Sequence, residues 1–184
     1  LFLYPMFAVN RRHERKDTVL EAIKNKFLVT EIIDLSQSEA QELFLEGTGS
    51  MVLDRENKIA YACLSPRTDE KILNEFCSMA GYSPVSFRST DSTGMDIYHT
   101  NVMMCVADRY IVICMDCIRD KEERKKVENA IRNSGKELIG ISMDQVNHFA
   151  GNMLQVNNAE GKKLLVMSSQ AYHSLYPEQL QIYG

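Results

Sequence analysis

Two short segments carry the residues best suited to chemistry. Leu43-Phe44-Leu45-Glu46-Gly47-Thr48-Gly49-Ser50 places a carboxylate after an apolar run and before two glycines. Ile97-Tyr98-His99-Thr100-Asn101 places a histidine in a similar setting about fifty residues on. A histidine and a carboxylate in one pocket are the ingredients of general acid–base catalysis. The same pair also suits a buried, mutually satisfied structural contact. Glycines after Glu46 let the backbone crowd close to a ligand. Arg67, in Ser65-Pro66-Arg67-Thr68, reads either as an ordinary capping-region arginine or as a bidentate clamp on a carboxylate. Arg11 and Arg12 open an expected helix against its dipole, an arrangement that invites an anion or the nearby Glu14. His13, His148 and His173 have no such setting and read as surface or structural residues.

The elements that must position these residues repeat at about fifty residues. Three segments share one plan: an apolar strand, a polar turn and a returning strand. They are Gly49-Ser50-Met51-Val52-Leu53 returning as Lys58-Ile59-Ala60-Tyr61-Ala62, Asn101-Val102-Met103-Met104-Cys105-Val106 returning as Tyr110-Ile111-Val112-Ile113, and Gly151-Asn152-Met153-Leu154-Gln155-Val156 returning as Lys163-Leu164-Leu165-Val166-Met167. Helical patterns follow over 68–80, 121–133 and 169–175. After the first two, new strands are expected at 85–88 and 137–141, with Gly81 and Gly135 at the helix ends. The opening of the chain adds a helix over about 12–26 and a strand over 27–33.

The unit is therefore strand, strand, helix, strand, and the repeats run approximately 1–48, 49–98, 99–148 and 149–184. A unit that cannot bury its own face must stack on its neighbours. The expected fold class is α/β: a single domain, 1–184, built as a ring of ββαβ blades. In such a ring the joints before each hairpin converge near the axis, which brings Glu46 and His99 together. An open dinucleotide-binding sheet would instead place a Gly-rich turn after a strand. Glu46-Gly47-Thr48-Gly49-Ser50 precedes a strand and has no G-x-x-x-x-G-K pattern, so it is not a P-loop.

Composition excludes other classes. Of 184 residues, 45% are hydrophobic and 25% charged, ordinary for a globular domain, and no apolar run approaches a membrane span. A net charge of −4 argues against a nucleic-acid partner. Five cysteines without framework spacing fit a reducing cytosol, so the expected localisation is cytoplasmic. Cys114-Met115-Asp116-Cys117 is a lone C-x-x-C, weak as a zinc or redox signal, and it reads as strand and turn cysteines. No metal site is visible.

At these motifs the chain resembles a known family. Leu3-Tyr4-Pro5-Met6, Asn10-Arg11-Arg12-x-Glu14-Arg15, Phe44 through Arg55, Tyr98-His99-Thr100-Asn101-Val102-Met103-Met104 and Phe149-Ala150-Gly151-Asn152-Met153-Leu154 are similar to the citrulline-utilization hydrolase branch of the guanidino-group-modifying (amidinotransferase) superfamily. That superfamily includes arginine deiminase and dimethylarginine dimethylaminohydrolase. The resemblance implies a five-bladed α/β propeller, of which this chain would hold about three and a half blades. It implies a small amino-acid substrate, no cofactor, and a cysteine thiolate that attacks a guanidinium or ureido carbon. His99 matches the proton-transfer histidine, and Glu46 the carboxylate that holds substrate N–H groups. Arg67 matches a carboxylate-binding arginine, and Arg11, or Arg12 in the alternative register, a second one. Asn101 stands where arginine deiminases carry an aspartate. An amide cannot neutralise a guanidinium, which leans toward citrulline.

The resemblance also has a gap. The family's Gly-rich block ending in Arg-Cys-Met, and its Pro-Asn-Asn-Trp segment, have no counterpart here. The expectation is a piece of a longer hydrolase whose nucleophile lies outside the chain, inactive alone. Amidinotransferase activity and a non-catalytic binding remnant are the alternatives, and oligomeric state is left open.

Overall fold

The computed structural model describes residues 1–183. Its two best-formed regions are built alike. In the first, β3 (Met51–Asp54) pairs antiparallel with β4 (Ile59–Cys63), α2 (Glu70–Ala80) crosses over, and β5 (Ser83–Phe87) returns parallel to β4. In the second, β6 (Met104–Val106), β7 (Tyr110–Ile113), α3 (Lys121–Asn133) and β8 (Glu137–Gly140) repeat that order and those pairings. A third region has the antiparallel pair β9 (Leu154–Asn157) and β10 (Lys163–Val166), followed by α5 (Ser169–Ser174) and α6 (Pro177–Tyr183). Between the second and third lies α4 (Met143–Asn147), begun by a reciprocal Ser142–Gln145 capping box. The class is mixed α/β with small sheets.

Local chemistry sets these boundaries. Asp69 accepts from the Lys71 and Ile72 amides, so α2 starts at Glu70, two residues inside the expected span. Its buried stripe of Ile72, Leu73, Phe76 and Cys77 recurs at helical spacing. Each large member contributes about 1.5–3 kcal/mol by leaving water. Asp120 caps α3 in the same way, and Val127 and Ile131 form its buried stripe. α3 packs on both β5 and β8, so it ties two units together. The first strands of successive units also touch, β3 against β6 and β6 against β9.

The N-terminal region differs from expectation. The strand expected over 27–33 is reduced to β2 (Ile33–Asp34), paired in parallel with β1 (Phe2–Leu3). Phe27 and Leu28 are exposed, so their apolar character has no sheet to fill. The helix expected from about residue 12 is α1 (Asp17–Lys26), preceded by a 3-10 segment, Val9–Arg15. Arg11 and Arg12 therefore lie in the tighter turn and not at the start of an α-helix, so the dipole argument for an anion there does not hold.

Two apolar clusters result. One surrounds β6, β7 and α3 and includes Tyr61, Phe87 and Met103; the other lies between β3, β4 and α2 and includes Leu35 and Leu45. Among the described residues, no helix is long and apolar enough to cross a membrane.

Candidate active site

Glu46 ends an apolar run whose Leu45 is completely buried, and that burial carries the carboxylate inside. Its backbone is pinned by Ser50, whose hydroxyl accepts from the Glu46 N–H at 2.7 Å and donates to the Arg67 carbonyl at 2.8 Å. One serine thus fixes both residues. His99 reaches the carboxylate from the next unit. Thr100 holds it there: its N–H donates to the Gly49 carbonyl at 2.7 Å, and its hydroxyl donates to the Ser50 carbonyl at 2.6 Å. Gly49 is required for this approach. A Cβ at that position would lie 2.9 Å from two atoms of the His99 ring.

The carboxylate is surrounded. Oε1 accepts from the Phe7 and Ala8 amides at 3.0 and 3.4 Å. Oε2 lies 2.8 Å from His99 Nε2, 3.5 Å from Arg67 Nη1 and 3.7 Å from Arg11 Nη1. Burial pushes the Glu46 carboxyl upward, but the His99 hydrogen bond, the Ala8 amide and the Arg67 charge outweigh it and hold it below the usual carboxylate range. An ionised carboxylate only accepts, so His99 donates through Nε2–H and keeps Nδ1 as its basic nitrogen.

Four of the sequence candidates, Glu46, His99, Arg67 and Arg11, therefore meet around one carboxylate oxygen. Arg12 turns away: its Nε donates to the Met6 carbonyl at 3.0 Å and lies 3.2 Å from Glu39 Oε2. Asn101 lies in the 3-10 turn Thr100–Val102 after His99 and lines a groove of about 660 Å³ beside β3, β6 and β9, with Thr48 and Asn152. Neither Glu46 nor His99 lines that groove.

Sequence reasoning missed Glu39. It accepts from the Met6 amide at 2.7 Å and from Arg15 Nη1 at 2.5 Å, and so anchors the segment that presents Arg11. The acid–basic pairing spans more than twenty residues, and no local pattern announces it. Phe7 and Tyr98 were also missed as partners of Arg67.

The cysteines stand apart. All five are buried and free. Cys63 points its thiol at Ser89 Oγ (2.7 Å) and the Ile97 carbonyl (2.8 Å), and burial pushes it up to about 11. Cys114 is lowered by its hydrogen bond with Cys117, and Cys117 is raised by the same pairing. Both follow the end of β7. Among the described residues, no group of three or more His, Cys, Asp or Glu is placed to hold a metal ion.

The chain belongs to the family described as N,N dimethylarginine dimethylhydrolase, eukaryotic, whose model matches residues 1–183. Comparison with curated proteins gives no match. Among solved structures, the N-terminal domain of ArgZ, an arginine dihydrolase from the ornithine–ammonia cycle in cyanobacteria, is similar when bound to substrate. The identity is 19% and the TM-score 0.70, over 99% of this chain and 60% of that one. The same domain covalently bound to a reaction intermediate gives 19% and 0.69, over 98% and 60%. A mutant of AgrE in complex with L-arginine gives 19% and 0.66, over 99% and 25%. At this identity the likeness shows a shared fold. The chain spans 60% of the ArgZ N-terminal domain.

Proposed function

We propose that the chain belongs to one propeller domain of ββαβ blades, and that the whole protein is a C–N hydrolase acting on the guanidino or ureido carbon of an arginine-like amino acid. One observation carries this reading: a buried, ionised Glu46 with an imidazole at 2.8 Å and two guanidinium groups within 3.7 Å on the same oxygen. A carboxylate so placed binds planar N–H groups, and the imidazole beside it moves protons.

In the proposed reaction a cysteine thiol passes its proton to His99 Nδ1, and the resulting thiolate attacks the central carbon of the substrate. The C–N bond breaks, and the departing amine takes a proton from His99. His99 then takes a proton from water, which attacks the same carbon and expels the thiolate. Glu46 orients His99 and accepts from substrate N–H groups, while Arg67 and Arg11 bind the substrate's carboxylate. None of the five cysteines here suits the nucleophile. Each is buried; Cys63, Cys77, Cys105 and Cys117 are held above the usual thiol range, and the lowered Cys114 has its sulfur engaged by the Cys117 hydrogen bond. The nucleophile is therefore assigned to a segment outside these 184 residues.

Asn101 supports a neutral ureido substrate, citrulline: the C–N bond that breaks releases ornithine, water hydrolyses the carbamoyl thioester to carbamate, and the carbamate breaks down to ammonia and carbon dioxide. The family description favours a guanidino substrate as the second reading. A reducing, cytoplasmic setting fits the five free thiols. The test is an assay of the parent protein with L-citrulline, L-arginine and N,N-dimethylarginine, with and without an amine acceptor. Ornithine and ammonia from citrulline are expected. Citrulline formed from arginine, with none consumed, overturns the ureido assignment. Transfer to the amine overturns hydrolysis. Turnover by the 184-residue chain alone overturns the external nucleophile.

A further inference from the structure

Arg67 has more partners than a carboxylate clamp requires. Its guanidinium carbon lies over the Tyr98 ring, 4.4 Å from the centroid, and over the Phe7 ring at 5.6 Å. The two rings come from different parts of the chain, Phe7 from the segment after β1 and Tyr98 from the residue before His99. Each is braced edge-on by another ring, Phe7 by Phe44 at 5.3 Å and Tyr98 by His99 at 4.8 Å. Yet Phe7 remains 43% exposed and Tyr98 48%. Core packing does not account for rings left this open.

The backbone of Arg67 is held separately from its head group. Its N–H donates to Ser65 Oγ at 3.1 Å, the Ser65 hydroxyl donates to the Tyr98 carbonyl at 3.1 Å, and the Arg67 carbonyl accepts from Ser50. The guanidinium is the part left with a choice. Its contact with Glu46 is a single long one, 3.5 Å, and not a paired fork. A substrate that donates its own N–H groups to Glu46 must take that contact away. A guanidinium on a flexible stem, stripped of its carboxylate, would otherwise swing into water. An aromatic face attracts the cation without consuming any N–H donor. The rings are thus the standing partners, and the carboxylate is the exchangeable one.

We propose that Phe7 and Tyr98 are positioning residues that hold the Arg67 guanidinium by its face, so that it exchanges Glu46 for the carboxylate of an incoming amino acid without leaving the site. The inference rests on Arg67 acting as the carboxylate clamp. It makes the two rings determinants of preference for ligands that carry an α-carboxylate.

The test uses the parent protein with its nucleophilic cysteine changed to alanine, so that ligands bind without turnover, alone and with Tyr98→Leu, Tyr98→Phe or Phe7→Leu added. Calorimetry measures binding of L-arginine, L-citrulline and agmatine, which is arginine without its carboxylate. NMR of the unliganded protein follows the Arg67 Nε–Hε signal, assigned with Arg67→Lys, as a report of ring-current shift. Tyr98→Leu is expected to weaken both amino acids about fivefold or more, within the range of a cation–π contact. Agmatine binding stays unchanged, Tyr98→Phe behaves as the parent, and the ring-current shift disappears only in the leucine variants. Equal losses for agmatine and L-arginine overturn the inference, as does an unchanged Nε–Hε signal in Tyr98→Leu. Failure of the parent protein with Tyr98 and Phe7 intact to bind either amino acid overturns the clamp reading. The Nε–Hε signal then decides separately whether the rings hold Arg67.

Discussion

Gly49 and Gly151 open equivalent joints of the repeat, and the space each leaves is filled differently. A Cβ on Gly49 would meet the His99 imidazole at 2.9 Å. A Cβ on Gly151 would meet backbone, the Val102 carbonyl oxygen at 2.3 Å and the Met103 Cα at 2.8 Å. The first joint makes room for a side chain that can do chemistry, and the second for a peptide group that only packs. The residues three before them follow suit. Glu46 is buried and meets His99, Arg67 and Arg11, whereas His148 is half-buried, with its ring Nδ1 2.8 Å from the Asp144 carbonyl one helical turn back. A titratable residue becomes a hub only where the neighbouring unit faces it with partners. Repetition supplies the position, and the neighbour decides its use.

The contrast can be broken in four ways. The largest effect is expected from His99→Ala, which should lower kcat of the parent hydrolase by about 10²- to 10⁴-fold. Glu46 keeps its amide and arginine contacts, so the melting temperature should barely move; a matching loss of stability would make the first joint structural too. Gly49→Ala should push the imidazole aside and cost activity about 10²-fold, the scale of a 1 Å misplacement, with little change in a urea titration. Gly151→Ala should do the reverse. Backbone cannot yield as a ring can, so destabilisation of about 1–3 kcal/mol is expected from overpacking, with amino-acid affinity of the folded chain intact. An activity loss larger than the stability loss there would erase the distinction between the joints.

The smallest effect concerns pH. Burial raises the Glu46 and Glu39 carboxyls, but their hydrogen-bonding partners hold both below the ordinary value. A lowered folded pKa gives stability that is fully present above the unfolded value, about 4.3 for glutamate, and is lost as pH falls through the folded one. Resistance to chemical denaturation should therefore fall progressively below about pH 4, and Glu46→Gln should shallow that slope. An identical slope in Glu46→Gln would mean that the carboxylate at the first joint adds nothing to acid stability.

How much of this was readable in advance follows from the range of the interactions. The helices at 70–80 and 121–133 carry their own signals, an aspartate cap before each and an apolar stripe within it, so their expected spans fall within two residues of the observed ones. The segment over 27–33 was apolar enough for a strand, yet a strand exists only if another accepts its hydrogen bonds. Here β1 offers two residues, and β2 is two residues long. Arg12 was the less favoured register beside Arg11, and Glu39, 27 positions away, takes it.

Residue types, a fifty-residue period and local caps were enough to establish the α/β units and to nominate Glu46, His99 and Arg67, because those signals act over a few turns of chain; Arg11 was nominated by the family resemblance. Which arginine faces the carboxylate, which rings hold it, and which glycine shelters an imidazole depended on where separate units came to rest against one another. Hydrogen bonds to a buried charge and contacts with an aromatic face act over only a few ångströms. They join residues far apart in the chain, and packing alone brings those residues within reach.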